Sequence, residues 1–128
     1  LKRGYTHVAE FHYLHHDEQG HRYQTLSEIA LAHLAAASEA GIKITMVPVF
    51  YQKGNFGTEA TPRQRRFLFS DRDEYFKLLQ EVQGAVKTIG TASVGFGVHS
   101  LRAADASDVT GIFREGPSGL PFHMHAAE

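Results

Sequence analysis

Residues 42–50 read IKITMVPVF, a nearly continuous apolar run between Gly41 and the polar, glycine-containing stretch YQKGNFG at 51–57. A run of this length without polar alternation is typical of a strand that is buried on both faces, as in a parallel sheet. Pro48 fits near the end of such a strand, because it lacks a backbone donor. The segment therefore predicts a buried strand of an α/β protein.

The segments on either side of this run alternate between strand and helix. Strands are predicted at 6–11, 92–98 and 120–126, where β-branched and aromatic residues cluster. Helices are predicted from the capping-box spacing of Thr25 and Glu28 to Gly41, at 62–69, at 71–86 and near 104–113. The order βαβαβαβ requires crossovers and a parallel sheet, which belongs either to a doubly wound fold or to part of an eight-stranded barrel.

The composition is that of an ordinary soluble domain, with 128 residues, 42% hydrophobic residues and a formal net charge of -1. No apolar run approaches the roughly 18 residues that span a bilayer, and 13 basic residues against 14 acidic ones imply no strongly positive face. Membrane and nucleic-acid partners are therefore disfavoured. The chain has no Cys, so a bound metal would need imidazole or carboxylate ligands, and nine His are present.

Polar side chains follow every predicted strand. In both candidate folds the functional face lies at the carboxyl ends of the strands, so residues at these positions are expected to converge on one rim. They are His12, Tyr13, His15 and His16 after the first strand, Tyr51 and Gln52 after the second, His99 and Arg102 after the third, and His123, His125 and Glu128 at the fourth.

The stretch PFHMHAAE at 121–128 has the most specific spacing. In a strand, His123 and His125 share one face, and Glu128 follows where the chain leaves the strand. One imidazole can bind a metal while the carboxylate transfers protons, since a metal acidifies water but a leaving group must still be protonated. Two half-buried strand histidines without a chemical role explain the same pattern about equally well.

His99 and Arg102 form a second candidate pair at the end of the third strand. A guanidinium near an imidazole suits the binding of a substrate carboxylate through two parallel hydrogen bonds. Taken alone, an ordinary surface arginine is the more common explanation. His7, His21 and His33 are expected to have no chemical role, and His15 and His16 are expected to be solvated.

Three of these stretches together resemble a known family. The sequences EFHYLHH after the first strand, VHSLRA after the third and HMHAAE at the end are similar to the amidohydrolase superfamily and, within it, to the formimidoylglutamate deiminase family. The resemblance covers nearly the whole chain, and YQKGNFG is similar to a loop of that family. The HxxE spacing is shared by many deaminases, whereas EFHYLHHD and HSLRA are more particular.

The resemblance implies a fold and a set of roles. Residues 1–128 would be a partial catalytic domain, with strands two to five of a TIM-type (β/α)8 barrel and the rest of the barrel missing. His125 would be a metal ligand and Glu128 the catalytic proton shuttle, with His123 a neighbour and not a ligand. Tyr13, His99 and Arg102 would bind substrate, with Arg102 on a carboxylate of the glutamate moiety.

The implied reaction converts N-formimidoyl-L-glutamate and water to N-formyl-L-glutamate and ammonia, in the breakdown of histidine. One divalent metal, zinc by resemblance, would activate the water. The intact enzyme would be a cytoplasmic homo-oligomer, a dimer, that acts on a small-molecule substrate.

The sequence departs from the family pattern in its metal ligands. The paired histidines of the first barrel strand, the sixth-strand His and the eighth-strand Asp have no counterpart, and the ends at Leu1 and Glu128 are expected to be cuts in a longer chain. The chain by itself is therefore expected to bind zinc poorly and to be inactive. Two alternatives are another deaminase of the superfamily, with a nucleobase substrate, and a small α/β binding module in which the His residues are incidental.

Overall fold

A computed structural model of the chain describes residues 2–126. Its elements alternate between strand and helix. In chain order they are β1 (His7–His12), α1 (Glu28–Ala40), β2 (Lys43–Phe50), a 3-10 turn (Pro62–Gln64), α2 (Arg72–Val86), β3 (Ala92–Val94), β4 (Phe96–Ser100), α3 (Ala106–Glu115) and β5 (Phe122–His125).

The strands form one parallel sheet in which spatial order follows chain order. β1 pairs with β2, β2 pairs with both β3 and β4, and β4 pairs with β5. β3 and β4 are two halves of the strand predicted at 92–98, interrupted at Gly95, and the second half runs on to Ser100. The sheet and its crossover helices form about half of a TIM-type barrel, which confirms the predicted α/β fold class.

The side chains of each strand alternate between two environments. Ile44, Met46 and Phe50 of β2, together with Phe96 and Val98 of β4, pack against the helices in the main hydrophobic core. The intervening residues face the concave side of the sheet, which is the barrel interior. This alternation follows from the period of two in a strand, and it explains why β2 is buried on both faces.

Two details show how closely the strands and helices approach one another. A Cβ atom at Gly97 would lie 2.0 Å from the carbonyl oxygen of His123, so glycine permits the close contact between β4 and β5. Tyr75 of α2 donates a hydrogen bond from its hydroxyl to the Pro48 carbonyl at 3.0 Å and accepts one from the Gly97 amide at 2.9 Å. Tyr75 is fully buried, and burial raises the pKa of its hydroxyl.

Two local predictions were wrong. The helix α1 begins at Glu28 with Ser27 at its N-cap and no capping hydrogen bond from a side chain, so Thr25 and Glu28 do not form a capping box. Of the helix predicted at 62–69, only a 3-10 turn at Pro62–Gln64 forms. Asp71, by contrast, caps α2 by accepting a hydrogen bond from the Glu74 amide.

Candidate functional site

Aromatic rings from three strands meet at the carboxyl end of the sheet, on its concave face. The ring of Phe11 stacks on that of His125 with centroids 4.3 Å apart and an interplanar angle of 13°. The His99 ring lies 5.0 Å from His125 and 5.7 Å from Phe11. Alternate residues of a strand share a face, so these rings belong to the set that points into the barrel interior. The curved sheet thus creates a small aromatic site from β1, β4 and β5.

Two tyrosines complete the surroundings of His99. The centroid of the Tyr51 ring lies 4.7 Å from His99, and that of Tyr13 lies 5.2 Å away, both in edge-on contact. Phe67, from the segment after the 3-10 turn, packs against both tyrosines. His99 is only 5% exposed, and its Nδ1 is 3.1 Å from the Ser100 hydroxyl. Its orientation is therefore set by contacts on several sides.

Arg102 lies beside this aromatic site in the turn that follows β4. Its Nη1 donates hydrogen bonds to the Tyr51 hydroxyl at 3.2 Å and to the Gly54 carbonyl at 3.3 Å. Gln64 donates to the same two acceptors, at 2.8 Å and 3.3 Å. Arg102 also lines an open cavity of about 310 Å³ together with Lys53. The guanidinium is thus anchored at the edge of a groove in which a small anion could be bound.

The structure brings together four of the five site residues that the sequence predicted. Tyr13, His99 and His125 are in one cluster, and Tyr51 connects Arg102 to it. Glu128, the predicted catalytic carboxylate, lies outside the described residues. The roles assigned to these residues stay predictions, because their positions alone do not test them.

Two further residues of the site had no role in the sequence-based prediction. Tyr51 was recognised only as a polar residue after the second strand, and Gln64 was not singled out at all. Tyr51 follows a buried strand directly, and this position is the signal by which it could have been found. Gln64 lies in an irregular segment without periodicity, and no sequence pattern places it near Arg102.

The histidines that follow β1 are buried, so the expectation that His15 and His16 are solvated was wrong. His15 is 1% exposed and His16 is 4% exposed. Their amides both donate to the Arg66 carbonyl, and the His15 ring packs on Phe69 at 4.6 Å. Burial lowers the pKa of both imidazoles. The loop after β1 is polar in sequence, but the segment at 62–70 covers it.

A metal in the barrel interior would need several donor side chains. Zinc in proteins takes about four ligands from Cys, His, Asp or Glu side chains. Within residues 2–126, the grouped set of three such side chains is Glu10, His12 and His33, and His125 is not part of a set of this kind. The described residues therefore do not by themselves complete a metal site in the barrel interior, and the role of His125 as a metal ligand stays a prediction.

Comparison with known proteins identifies relatives along the whole chain. No protein-family profile matches it. The chain is 42% identical to formimidoylglutamate deiminase from Pseudomonas aeruginosa, over all of this chain and 28% of that protein. It is 38% identical to an amidohydrolase from Brucella melitensis in its crystal structure, with a TM-score of 0.83 over 95% of this chain and 27% of the other. The chain thus spans little more than a quarter of the length of these two relatives.

None of the helices within residues 2–126 combines the length and the apolar character that crossing a bilayer requires.

Proposed function

We propose, on the basis that this chain belongs to the amidohydrolase superfamily, that residues 1–128 form strands two to five of the catalytic barrel of a formimidoylglutamate deiminase. Its reaction would convert N-formimidoyl-L-glutamate and water to N-formyl-L-glutamate and ammonia. A new C–O bond forms from water at the formimidoyl carbon, and the C–N bond to the departing ammonia breaks. The match to the Pseudomonas aeruginosa enzyme along the whole chain supports this assignment.

The observation that carries the proposal is the position of Arg102 beside the aromatic site. The substrate named by the relative has two carboxylates, and a planar guanidinium can bind one of them through two parallel hydrogen bonds. Tyr51 and Gly54 hold Arg102 at the rim of the open cavity. Binding energy gained at the carboxylate would orient the distant formimidoyl group without contact between Arg102 and the reacting carbon.

The aromatic site would receive the reacting end of the substrate. Tyr13 and His99 have polar atoms that can bind the substrate, and His99 is fixed by its neighbours. The apolar rings of Phe11 and Phe67 would limit access of bulk water to this end of the barrel. In such surroundings, hydrogen bonds to a developing charge are stronger than in water.

Proton transfer and metal binding are assigned through the resemblance. His125 would supply one imidazole to a divalent metal, zinc in this proposal, and the other ligands would come from outside the described residues. The metal, when bound, would make water a better nucleophile at neutral pH. Glu128 would hold the proton of that water and deliver it to the departing nitrogen. Without the remaining ligands, the chain by itself would bind zinc weakly in the barrel interior and would be inactive.

The proposal extends to the setting of the enzyme. A small-molecule substrate, a homodimeric assembly and a cytoplasmic location in histidine catabolism are each carried over from the resemblance to the deiminase family.

The test is ammonia release from N-formimidoyl-L-glutamate by the full-length protein and by its Arg102→Ala variant. Hydrogen bonds to a charged group contribute about 1.5–3 kcal/mol. Their loss in Arg102→Ala should therefore reduce kcat/KM on the order of 10-fold to 100-fold. Arg114→Ala removes the same charge from an exposed position on α3 and is the matched control, expected to retain wild-type kcat/KM.

Two further substrates make the test specific. Formamidine contains the amidine but no carboxylate, so its slow hydrolysis should be the same in the wild type and in Arg102→Ala. Adenine and guanine should release no ammonia. Turnover of a nucleobase, or an Arg102→Ala variant that hydrolyses N-formimidoyl-L-glutamate as well as the wild type does, would refute the proposal.

A further inference from the structure

A second group of potential metal ligands lies on the opposite face of β1 from the aromatic site. Glu10 and His12 alternate with Phe11 along the strand, so they point away from the barrel interior and toward α1. There they meet His33, which lies on α1. Each of the three side chains has one potential ligand atom in this group, and these three atoms lie within 4.8 Å of one another.

The chemistry of this group matches that of protein metal sites. Two imidazoles and one carboxylate, with water in the remaining positions, form a common ligand set for divalent transition metals. Four ligands at about 2.0 Å around a tetrahedral ion lie roughly 3.3 Å from one another. The three atoms lie within 4.8 Å of one another, so we expect side-chain rotations to bring them to the distances of a bound ion.

The ring of His33 is partly exposed, yet its Nδ1 is shielded from solvent. Among residues 2–126, this nitrogen has no hydrogen-bond partner. The nearest carboxylate oxygen, Oε1 of Glu10, is 3.9 Å away, which is too far for a hydrogen bond. The 3.9 Å between this nitrogen and the carboxylate oxygen leaves a place for an ion that both atoms could bind.

His12 is buried beside His33. Its ring is 2% exposed and packs edge-on against His33 with centroids 5.3 Å apart. The two imidazole rings therefore meet at the junction of β1 and α1.

Access to the group is open. Glu10, His12 and His33 line a cavity of about 400 Å³, and its lining also includes Phe11, Tyr13 and Phe67 of the aromatic site. An ion can therefore reach the three ligands from solvent.

We propose that Glu10, His12 and His33 bind a divalent transition metal, zinc or a chemically similar ion, as a structural site that joins β1 to α1. The site is separate from the metal proposed for the barrel interior, and it does not depend on the deiminase function. A metal at this position would fix the end of β1, and with it the backbone that leads into Tyr13.

The experiment measures metal content and thermal stability of the full-length protein, with His33→Gln and Glu10→Gln as the variants. After dialysis against zinc and removal of the excess, the wild type should retain one zinc per chain more than either variant. His21→Gln is the matched control, since His21 is exposed and lies outside the group, and it should retain the wild-type content. Added zinc should raise the Tm of the wild type and the control more than that of either variant.

A spectroscopic variant separates metal binding from a merely structural role of His33. The chain contains no Cys, so His33→Cys introduces one thiolate at the group. Cobalt added to this variant should produce a thiolate-to-cobalt charge-transfer band in the near ultraviolet, and His21→Cys should produce none. Equal zinc content in the wild type, His33→Gln and Glu10→Gln, or the absence of that band, would overturn the proposal. Deiminase activity that persists in His33→Gln, together with a loss of bound zinc, would support a structural site that the deiminase reaction does not need.

Discussion

The Phe11 ring of β1 is stacked on the His125 ring of β5, with centroids 4.3 Å apart and planes 13° from parallel. Two strand positions lie between β1 and β5 in the sheet. In a flat sheet with strands roughly 4.8 Å apart, the two backbones would be separated by about 14 Å. Contact between their side chains therefore requires strong curvature, and the pair is direct evidence that the concave face is the interior of a barrel.

This stack predicts a stability effect with a simple control. Phe11→Ala removes an aromatic ring that is partly buried and should lower the free energy of unfolding by about 2–3 kcal/mol, through lost burial and a residual cavity. Phe11→Leu keeps most of the apolar volume and should cost about 1 kcal/mol. Urea unfolding of both variants measures the difference, and equal losses would contradict a packing role for the ring.

The anchoring of Arg102 predicts an effect on substrate binding. Tyr51→Phe keeps the ring that contacts His99 but removes the hydroxyl that accepts hydrogen bonds from Arg102 and Gln64. Loss of roughly 1 kcal/mol in positioning should raise the KM for N-formimidoyl-L-glutamate about 5-fold, with a smaller change in kcat. Steady-state kinetics test this effect. Tyr23→Phe is the matched control, and a Tyr51→Phe variant with unchanged KM would show that the hydroxyl does not position Arg102.

The hydroxyl of Tyr75 is buried and hydrogen-bonded, so we expect its removal to lower the stability of the fold. Tyr75→Phe leaves the Pro48 carbonyl and the Gly97 amide without their partner inside the core. An unsatisfied buried polar group costs about 1–3 kcal/mol, so the free energy of unfolding should fall by at least that much. Tyr5→Phe, at an exposed position, should change it by less than about 0.5 kcal/mol. Chemical denaturation of both variants gives the comparison.

Burial of His15 predicts a loss of stability in mild acid. Desolvation lowers the pKa of this imidazole below its usual 6.5 in the folded protein, so the unfolded chain binds the proton more readily. The unfolded state then takes up more protons than the folded state as the pH falls below about 6.5, and stability decreases in that direction. Tm values measured between pH 7.5 and pH 5, with a chelator present to exclude bound metal, should fall steadily.

The variant His15→Gln separates this effect from general acid denaturation. Gln can keep a hydrogen bond to the Val49 carbonyl, which the His15 Nε2 approaches at 3.4 Å, but it cannot be protonated. The decline in Tm over the same pH range should be shallower in the variant than in the wild type. Parallel declines would mean that protonation of His15 does not drive the loss of stability.

The sequence by itself determined the order of elements and the residues at the ends of the strands. Within each element, the periodicity of apolar residues follows from the geometry of a strand or a helix. This holds for the apolar run at 42–50 and for the helical patterns on either side of it. They therefore predicted the parallel α/β sheet. They also placed Tyr13, His99 and Arg102 just after predicted strands and His125 within the last one. The family resemblance supplied the choice of a barrel over a doubly wound sheet.

Only the tertiary structure decided which of these residues meet. Sheet curvature brought Phe11 to His125, and the segment at 62–70 covered the polar loop and buried His15. The same segment placed Gln64 beside Tyr51, while the face of β1 directed His12 away from the aromatic site and toward His33. These outcomes depend on contacts between residues that are far apart in the chain, and a periodic pattern within one element contains no information about them.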